Sequence, residues 1–206
     1  EKAGQQVKTD SKIEIKGKTY PWVSRGGIKL EKAILEFKLN CDLIIALDIG
    51  ASTGGFTDVL LARGAKKIYA VDVGYGQLDW RLRQNERVIV KEKTNARFLT
   101  DQIIKDPLDA IVCDASFISL KKVLPSGLSL LKTKGWLAAL IKPQFEVGKG
   151  LVGKGGVVRD QELHQEVVAD IKNWLQHDMN MYLSGVVESP ILGPSGNKEF
   201  VIVANK

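Results

Sequence analysis

Residues 43–56 constrain the fold of this chain more than any other segment. An apolar run ends at Asp48, and a glycine-rich stretch follows it directly. Apolar residues then recur at helical spacing, beginning with Phe56. This order predicts a buried strand, a tight turn and the start of a helix. Because glycine has no side chain, a ligand can approach the backbone of such a turn closely.

A second acid follows at the spacing expected of a nucleoside site. Residues 67–72 predict another strand, which ends at Asp72, roughly 20 residues after the glycine turn. An acid at that distance is placed to bind a ribose diol. We therefore predict a site for a nucleoside-containing cofactor. The alternative is a plain strand–turn–helix unit whose glycines only fix the turn.

The glycine pattern favours S-adenosylmethionine over NAD as that cofactor. A NAD site needs G-x-G-x-x-G so that helix amides reach a pyrophosphate. Here the loop has Gly50, Ser52 and Gly54, without a fitting third glycine. S-adenosylmethionine has no phosphate and needs acids for its amine and its ribose. An acid–glycine loop followed by Asp72 suits these requirements better.

The same loop also matches the G-x-S-x-G nucleophile elbow of α/β-hydrolases, with Ser52 as the nucleophile. That motif should be followed by an acid and a histidine. The only histidines, His164 and His177, fall in a polar helical stretch, and we expect both to be solvated. The hydrolase fold also needs several strands before the elbow, and about 45 residues leave little room for them.

Length and composition are those of a soluble globular protein. The chain has 206 residues, 44% hydrophobic and 26% charged, which fits one α/β domain with a small appendage. No apolar run approaches the roughly 20 residues that span a bilayer, and no signal peptide is visible. Cys41 and Cys113 lie in or beside apolar runs, without metal-ligand spacing, and predict reduced core residues of a cytoplasmic protein. The absence of an initiator methionine suggests a fragment or a processed chain. A net charge of +6 permits a polyanionic partner.

From residue 43 onwards, predicted strands and helices alternate. This alternation predicts an α/β fold with a mainly parallel seven-stranded sheet and helices on both faces. The last two strands have no helix between them, so we expect an antiparallel pair at the end of the sheet. The predicted strands are 43–49, 67–73, 88–94, 108–114, 135–142, 182–188 and 199–204, and the predicted helices are 28–37 (with Ser24 near its N-cap), 54–63, 77–85, 99–105, 120–132 and 160–178.

Charged residues lie at the ends of three further strands, at the edge where open α/β sheets hold ligands. Asp114 ends the fourth strand, Lys142 ends the fifth, and Glu199 opens the last. A lysine that emerges from a buried strand is costly unless it is paired or functional. Lys142 therefore either carries chemistry or forms an ion pair with Asp114 that closes the sheet. The loop 143–160 combines glycines with Lys149, Lys154 and Arg159, which suits a phosphate backbone or a solvated surface loop.

Several consecutive signatures of the chain resemble the TlyA/hemolysin-A family, from about Tyr20 to the C-terminus. They are residues 24–30 (SRGGIKL), the loop 48–56, residues 71–78 (VDVGYGQL), residues 116–120 (SFISL) and residues 142–146 (KPQFE). The resemblance implies a Rossmann-like, S-adenosylmethionine-dependent methyltransferase fold like that of the FtsJ enzymes. It implies a cytoplasmic rRNA (cytidine-2′-O)-methyltransferase whose partners are ribosomal RNA and ribosomal subunits. Residues 1–21 would be the tail and linker of an S4-like RNA-binding domain, and residues 22–206 the methyltransferase domain.

The resemblance also assigns residues to roles. FtsJ-like enzymes use a Lys-Asp-Lys-Glu tetrad, which would be Lys29, Asp114, Lys142 and Glu199 here. The tetrad would align a ribose hydroxyl with the sulfonium methyl and help to remove one proton, and no metal is needed. The cofactor-binding positions would be Asp48, Gly50, Ser52, Gly54, Phe56, Asp72 and Asn95.

Two other classes of function remain open at this point. A membrane-lytic protein, as the word hemolysin implies, needs an amphipathic or apolar membrane segment, and the chain shows none. A non-catalytic RNA-binding or ribosome-assembly module would tolerate loss of the tetrad, and here all four residue types are present.

Overall fold

The computed structural model of this protein describes residues 6, 10 and 20–206. Most of the segment 1–21, expected to be the tail and linker of an S4-like domain, lies outside the described residues. Among the residues described, no helix is long and apolar enough to cross a bilayer.

The described chain forms one seven-stranded sheet in the order β3-β2-β1-β4-β5-β7-β6. The strands are β1 (Ile45–Ile49), β2 (Lys67–Val71), β3 (Val88–Lys91), β4 (Leu108–Cys113), β5 (Leu131–Ile141), β6 (Tyr182–Glu188) and β7 (Phe200–Asn205). The first five run parallel, whereas β7 pairs antiparallel with both β5 and β6. The predicted mainly parallel sheet with a final antiparallel pair is confirmed.

Helices cover both faces of the sheet, as predicted. The α-helices are α1 (Gly26–Phe37), α2 (Gly55–Ala62), α3 (Trp80–Arg83), α4 (Leu120–Val123), α5 (Pro125–Ser129), α6 (Pro143–Glu146) and α7 (Gln161–Asn173). Short 3-10 helices cover Ala96–Phe98, Lys149–Leu151 and Pro194–Gly196, and a π-helical turn, Trp174–Asp178, continues α7.

Two apolar clusters, one on each face, hold the layers together. Along β4, alternate side chains enter opposite clusters, Val112 on one face and Ile111 on the other, because successive strand residues point in opposite directions. Leu30 of α1 and Leu60 of α2 complete the first cluster, and Ile171 of α7 belongs to the second. This packing fixes the strand ends that carry the charged residues.

Three predicted helices are wrong in detail. The helix expected over 77–85 is shortened to α3, because Asp79 has a non-helical backbone and caps the helix by accepting from the Arg81 amide. The helix expected over 99–105 is replaced by the 3-10 helix Ala96–Phe98 and a turn, because Leu99 adopts an extended backbone that ends the helical geometry. The helix expected over 120–132 is divided into α4 and α5 at Pro125, which has no N–H to continue a helix. Strand β5 then begins at Leu131, earlier than predicted.

Two local expectations are also corrected. Helix α1 starts after Arg25, without a side-chain cap from Ser24. His164 is buried rather than solvated, because its Nε2 lies 2.9 Å from the Val158 carbonyl oxygen and its ring lies against Phe200. His177 is exposed, as expected.

Candidate active site

The topology of the sheet brings the predicted site residues to one edge. In a parallel sheet, the residues that follow β1, β2, β4 and β5 meet at the carboxyl edge. Because β7 runs antiparallel, its first residue joins the same edge. Ile141 pairs with Phe200, which places Lys142 and Glu199 beside each other just beyond that pair.

The glycine turn after β1 forms as the sequence predicts. Gly50 has φ +78°, and a Cβ there would lie 2.9 Å from the Ala115 Cα atom. A side chain would therefore be strained and would also push the turn away from the loop that follows β4. Gly54 also has a positive φ, and a Cβ there would overlap the Leu82 side chain. A larger residue at position 54 would therefore strain the turn.

Asp48 lies under this turn and is fully buried. Its Oδ2 accepts hydrogen bonds from the Thr57 amide at 3.0 Å and from the Thr57 hydroxyl at 2.7 Å. Its Oδ1 has no partner among the described residues. Burial raises the pKa of Asp48 to about 7. A buried carboxylate oxygen without a donor leaves this position able to accept a ligand's ammonium group.

Asp72 links the turn to the residues that follow β2. Its Oδ2 accepts from the Ser52 amide at 2.8 Å and its Oδ1 from the Gly74 amide at 2.7 Å. These bonds place the carboxylate at the predicted end of the site. Asn95 instead accepts from the Arg97 amide and begins the 3-10 helix Ala96–Phe98.

The four predicted tetrad residues form one connected group. Lys29 Nζ lies 2.7 Å from Glu199 Oε2 and 3.8 Å from Asp114 Oδ2. Lys142 Nζ lies 2.6 Å from Asp114 Oδ1. Glu199 is 1% exposed and each lysine 5%. Asp114 therefore joins two buried ammonium groups, and the charges alternate along the row from Glu199 to Lys142.

Ser116 belongs to this group, although sequence reasoning did not assign it a role. Its Oγ lies 2.9 Å from Lys142 Nζ, which also donates to the Asp114 carbonyl oxygen at 3.2 Å. Together with the Asp114 carboxylate, these oxygens hold the Lys142 ammonium from several sides. The sequence could have indicated this role, because Ser116 lies two residues after Asp114 and begins the signature 116–120.

A cavity of about 270 Å³ joins the glycine turn to the tetrad. The predicted residues that line it are Lys29, Asp48, Gly50, Ser52, Phe56, Asp114 and Lys142. Gly54, Asp72, Asn95 and Glu199 do not line it, and Glu199 is instead buried behind Lys29. Phe56 lines the cavity while most of its side chain packs in the core. Arg25 and Ser24 also line the cavity, and sequence reasoning missed both.

The hydrolase alternative finds no support in the geometry. The Ser52 hydroxyl donates to Gln77 Oε1 at 3.3 Å, and His164 is bonded to the Val158 carbonyl. Within residues 20–206, neither histidine contacts Ser52, so the elbow has no nucleophile–base pair.

Both cysteines are buried and reduced, as expected, and burial raises the pKa of Cys113 to about 12. In the loop 143–160, Arg159 and Lys154 are exposed, and the Lys149 side chain is outside what the structure describes.

Comparisons with known proteins agree with the methyltransferase signatures of the sequence. TlyA of Mycobacterium tuberculosis, a 16S/23S rRNA (cytidine-2′-O)-methyltransferase, is 49% identical over 181 residues, which are 88% of this chain and 67% of TlyA. Hemolysin A of Brachyspira hyodysenteriae is 41% identical over 199 residues, 95% of this chain and 81% of that protein.

Solved structures agree as well. A candidate hemolysin from Streptococcus thermophilus superposes with a TM-score of 0.88 at 43% identity, covering 93% of this chain and 69% of the other. Aeropyrum pernix fibrillarin, solved with S-adenosylmethionine, has a TM-score of 0.58 at 17% identity, covering 87% and 74% respectively. That second likeness shows the fold alone, and it confirms the predicted Rossmann-like methyltransferase architecture.

The family model of the FtsJ-like methyltransferases matches residues 22–206, which is nearly the whole described chain. The resemblance inferred from the sequence signatures is therefore confirmed, and the chain belongs to the family of FtsJ-like methyltransferases.

Proposed function

We propose that this protein transfers a methyl group from S-adenosylmethionine to the 2′-hydroxyl of a cytidine ribose in ribosomal RNA. The observation that carries the proposal is a single cavity with the glycine turn at one end and the buried Lys29–Asp114–Lys142 group at the other. The 49% identity to TlyA supports the substrate class.

The residues around the turn fit this cofactor. The unpartnered Asp48 Oδ1 would accept the cofactor's ammonium group, and Gly50 would leave room for its methionine chain. Asp72 would bind the ribose hydroxyls at the end of β2. When bound, S-adenosylmethionine supplies a methyl group that is already electrophilic because it is attached to a positive sulfur.

The tetrad would act on the acceptor hydroxyl. A ribose hydroxyl is a poor nucleophile at neutral pH, so it must be aligned and must lose its proton. Alignment alone can contribute about 7–11 kcal/mol. Lys142 is fixed by Asp114 and Ser116, and it lines the cavity where the hydroxyl would lie. Lys29 and Glu199 fix the other side of Asp114.

An exposed aromatic residue directly after Ser116, which lines the cavity, fits an RNA substrate. Phe117 is 90% exposed and has φ +63°, which is unfavourable for a bulky residue. Its ring centroid lies 5.0 Å from that of Phe145, which is close to Lys142 in sequence. Unpaired RNA bases stack on exposed aromatic rings, so Phe117 would stack on the base of the target nucleotide.

The decisive test is a map of 2′-O-methyl groups in ribosomal RNA from cells with and without the full-length gene. We expect one or more methyl groups to disappear without the gene, to return with the wild-type gene and to stay absent with Lys142→Ala. An unchanged map contradicts the proposed reaction. If Lys142→Ala restores ribosome assembly but not methylation, the non-catalytic alternative gains support.

We further propose that residues 1–21 are the end of an S4-like RNA-binding domain and its linker, and that the enzyme acts in the cytoplasm. A domain that binds RNA mainly through phosphates has little selectivity of its own. Residues 1–206 alone should therefore bind the cofactor but methylate ribosomal subunits poorly, whereas the full-length protein should be active. Tritiated-methyl incorporation at equal concentration and near-physiological salt compares the two, and equal rates at the same site would contradict this proposal.

A further inference from the structure

A second cavity, of about 600 Å³, adjoins the first one at the start of α1. Its walls come from the residues just before and within α1 and from the loop between β6 and β7. Arg25 and Pro194 line both cavities, so the two are continuous at this point. The second cavity therefore opens into the cavity in which we expect the acceptor hydroxyl to lie.

Arg25 lies where the two cavities meet, and its positive charge is unpaired among residues 20–206. It is exposed, and its guanidinium has no ion pair or hydrogen bond within the described part of the chain. The nearby acids are already bound, since Asp114 and Glu199 pair with the buried lysines. A free guanidinium between two continuous cavities suits a phosphate group, which it can bind through two parallel hydrogen bonds.

The wall beyond Arg25 is apolar. Tyr20, Ile28, Ile191 and Leu192 line it, and Leu192 is 52% exposed. The loop that carries Leu192 is held against the tetrad, because a Cβ at Gly193 would overlap Glu199 Oε1. An apolar wall next to a free cation matches a nucleotide, which has an apolar base face and a charged phosphate.

We propose that this second cavity is the subsite for the nucleotide next to the methylated one, with Arg25 bound to the phosphate between them. The base of that neighbouring nucleotide lies on the wall formed by Tyr20, Ile28 and Leu192. This inference rests on the proposed function, because it assumes an RNA strand whose target ribose lies beside Lys142. It makes Arg25 a substrate-binding residue that sets where the strand enters the site.

The test compares Arg25→Gln with Lys38→Gln in the full-length protein, using ribosomal subunits from cells that lack the gene. Lys38 is exposed and follows the opposite end of α1, about 20 Å from Arg25 along the helix axis, so its variant loses the same charge away from both cavities. We expect Arg25→Gln to raise the KM for subunits about tenfold, with kcat within about twofold and cofactor affinity unchanged. Lys38→Gln should match the wild type in all three measurements.

Salt dependence and a second variant make the result specific. Loss of one phosphate contact on single-stranded RNA should reduce the slope of log affinity against log salt by about 0.7 for Arg25→Gln but not for Lys38→Gln. Leu192→Ser should raise the KM without changing that slope. Equal KM values and equal slopes for the Arg25 and Lys38 variants overturn the subsite. The subsite is also wrong if Leu192→Ser lowers the urea midpoint of unfolding but leaves the KM unchanged. In that case other residues of the protein, and not RNA, would cover the apolar wall.

The two proposals fail in different ways. If the wild-type protein adds no 2′-O-methyl group to the subunits, the proposed function is wrong. If the wild type is active and the Arg25 variant equals its control, only the subsite is wrong.

Discussion

Asp48→Asn should stabilise the free protein and weaken its binding of cofactor. Burial raises the pKa of Asp48 from 3.8 to about 7, so the folded protein keeps a proton that the unfolded chain releases between these values. Stability from this residue is therefore fully present below pH 3.8 and is lost as the pH rises through about 7. The total loss is about 4 kcal/mol as an upper estimate. Asparagine keeps an oxygen for the two Thr57 bonds and carries no charge at any pH.

Urea unfolding from pH 5 to pH 8 measures this effect. The free energy of unfolding of Asp48→Asn minus that of the wild type should rise by up to about 3 kcal/mol over this range. Asp101→Asn is the control, because Asp101 is exposed and its variant should differ from the wild type by a constant amount. A difference for Asp48→Asn that does not change with pH would refute the argument that burial keeps this carboxyl protonated.

The affinity of the wild-type protein for S-adenosylmethionine should rise with pH, whereas the stability due to Asp48 falls. At pH 6 only about a tenth of the wild-type Asp48 is ionised, so the affinity for S-adenosylmethionine should be about tenfold lower than the value set by a fully ionised Asp48. Asp48→Asn should bind weakly, without this component of the pH dependence. The amine of the ligand also titrates. Calorimetry with the same ligand on both proteins removes this effect from the comparison, because it is the same for both. Equal affinities of the two proteins at pH 8 would exclude Asp48 from the cofactor site.

The remaining predictions concern four residues in or near the proposed site. Asp72→Ala should lower cofactor affinity at least about tenfold by calorimetry, because it loses charged acceptors for the ribose, and unchanged binding would exclude that role. Lys142→Ala should lower kcat at least about a hundredfold with cofactor affinity within about threefold, and near-normal turnover would contradict the tetrad. Gly193→Ala should lower the free energy of unfolding by about 1–3 kcal/mol, because its Cβ overlaps Glu199, and a wild-type urea midpoint would contradict this. Phe117→Ser should raise the KM for ribosomal subunits about fivefold or more while stability stays within about 0.5 kcal/mol, and an unchanged KM would remove its stacking role.

The sequence predicts the sheet well because its central strands are buried on both faces. Such strands are continuous apolar runs, and all seven were located with modest errors at their ends. The charged residues at the strand ends could be placed at one edge for the same reason. The pairing of Lys142 with Asp114 was one of two alternatives derived from that spacing, and the structure contains this ion pair.

Other features depend on contacts that local patterns do not contain. Lys29 and Glu199 are 170 residues apart, so only the family resemblance placed them together. His164 stands in a polar stretch, yet it is buried, because its ring lies against Phe200 of β7, a residue distant in the sequence. The separation of α4 from α5 could have been foreseen, since Pro125 was visible in the sequence. Arg25 was visible as well, but only its position between two cavities gives it a role.

The alternating charges of the tetrad have a consequence for which of its members can be lost together. Removing one member leaves an uncompensated charge in a buried row, which typically costs about 3–5 kcal/mol. Removing an acid together with its neighbouring lysine, such as Glu199 with Lys29, leaves the row neutral and costs less. Related proteins that lack part of the tetrad should therefore differ from this chain at oppositely charged pairs of tetrad positions, with single losses rare among them.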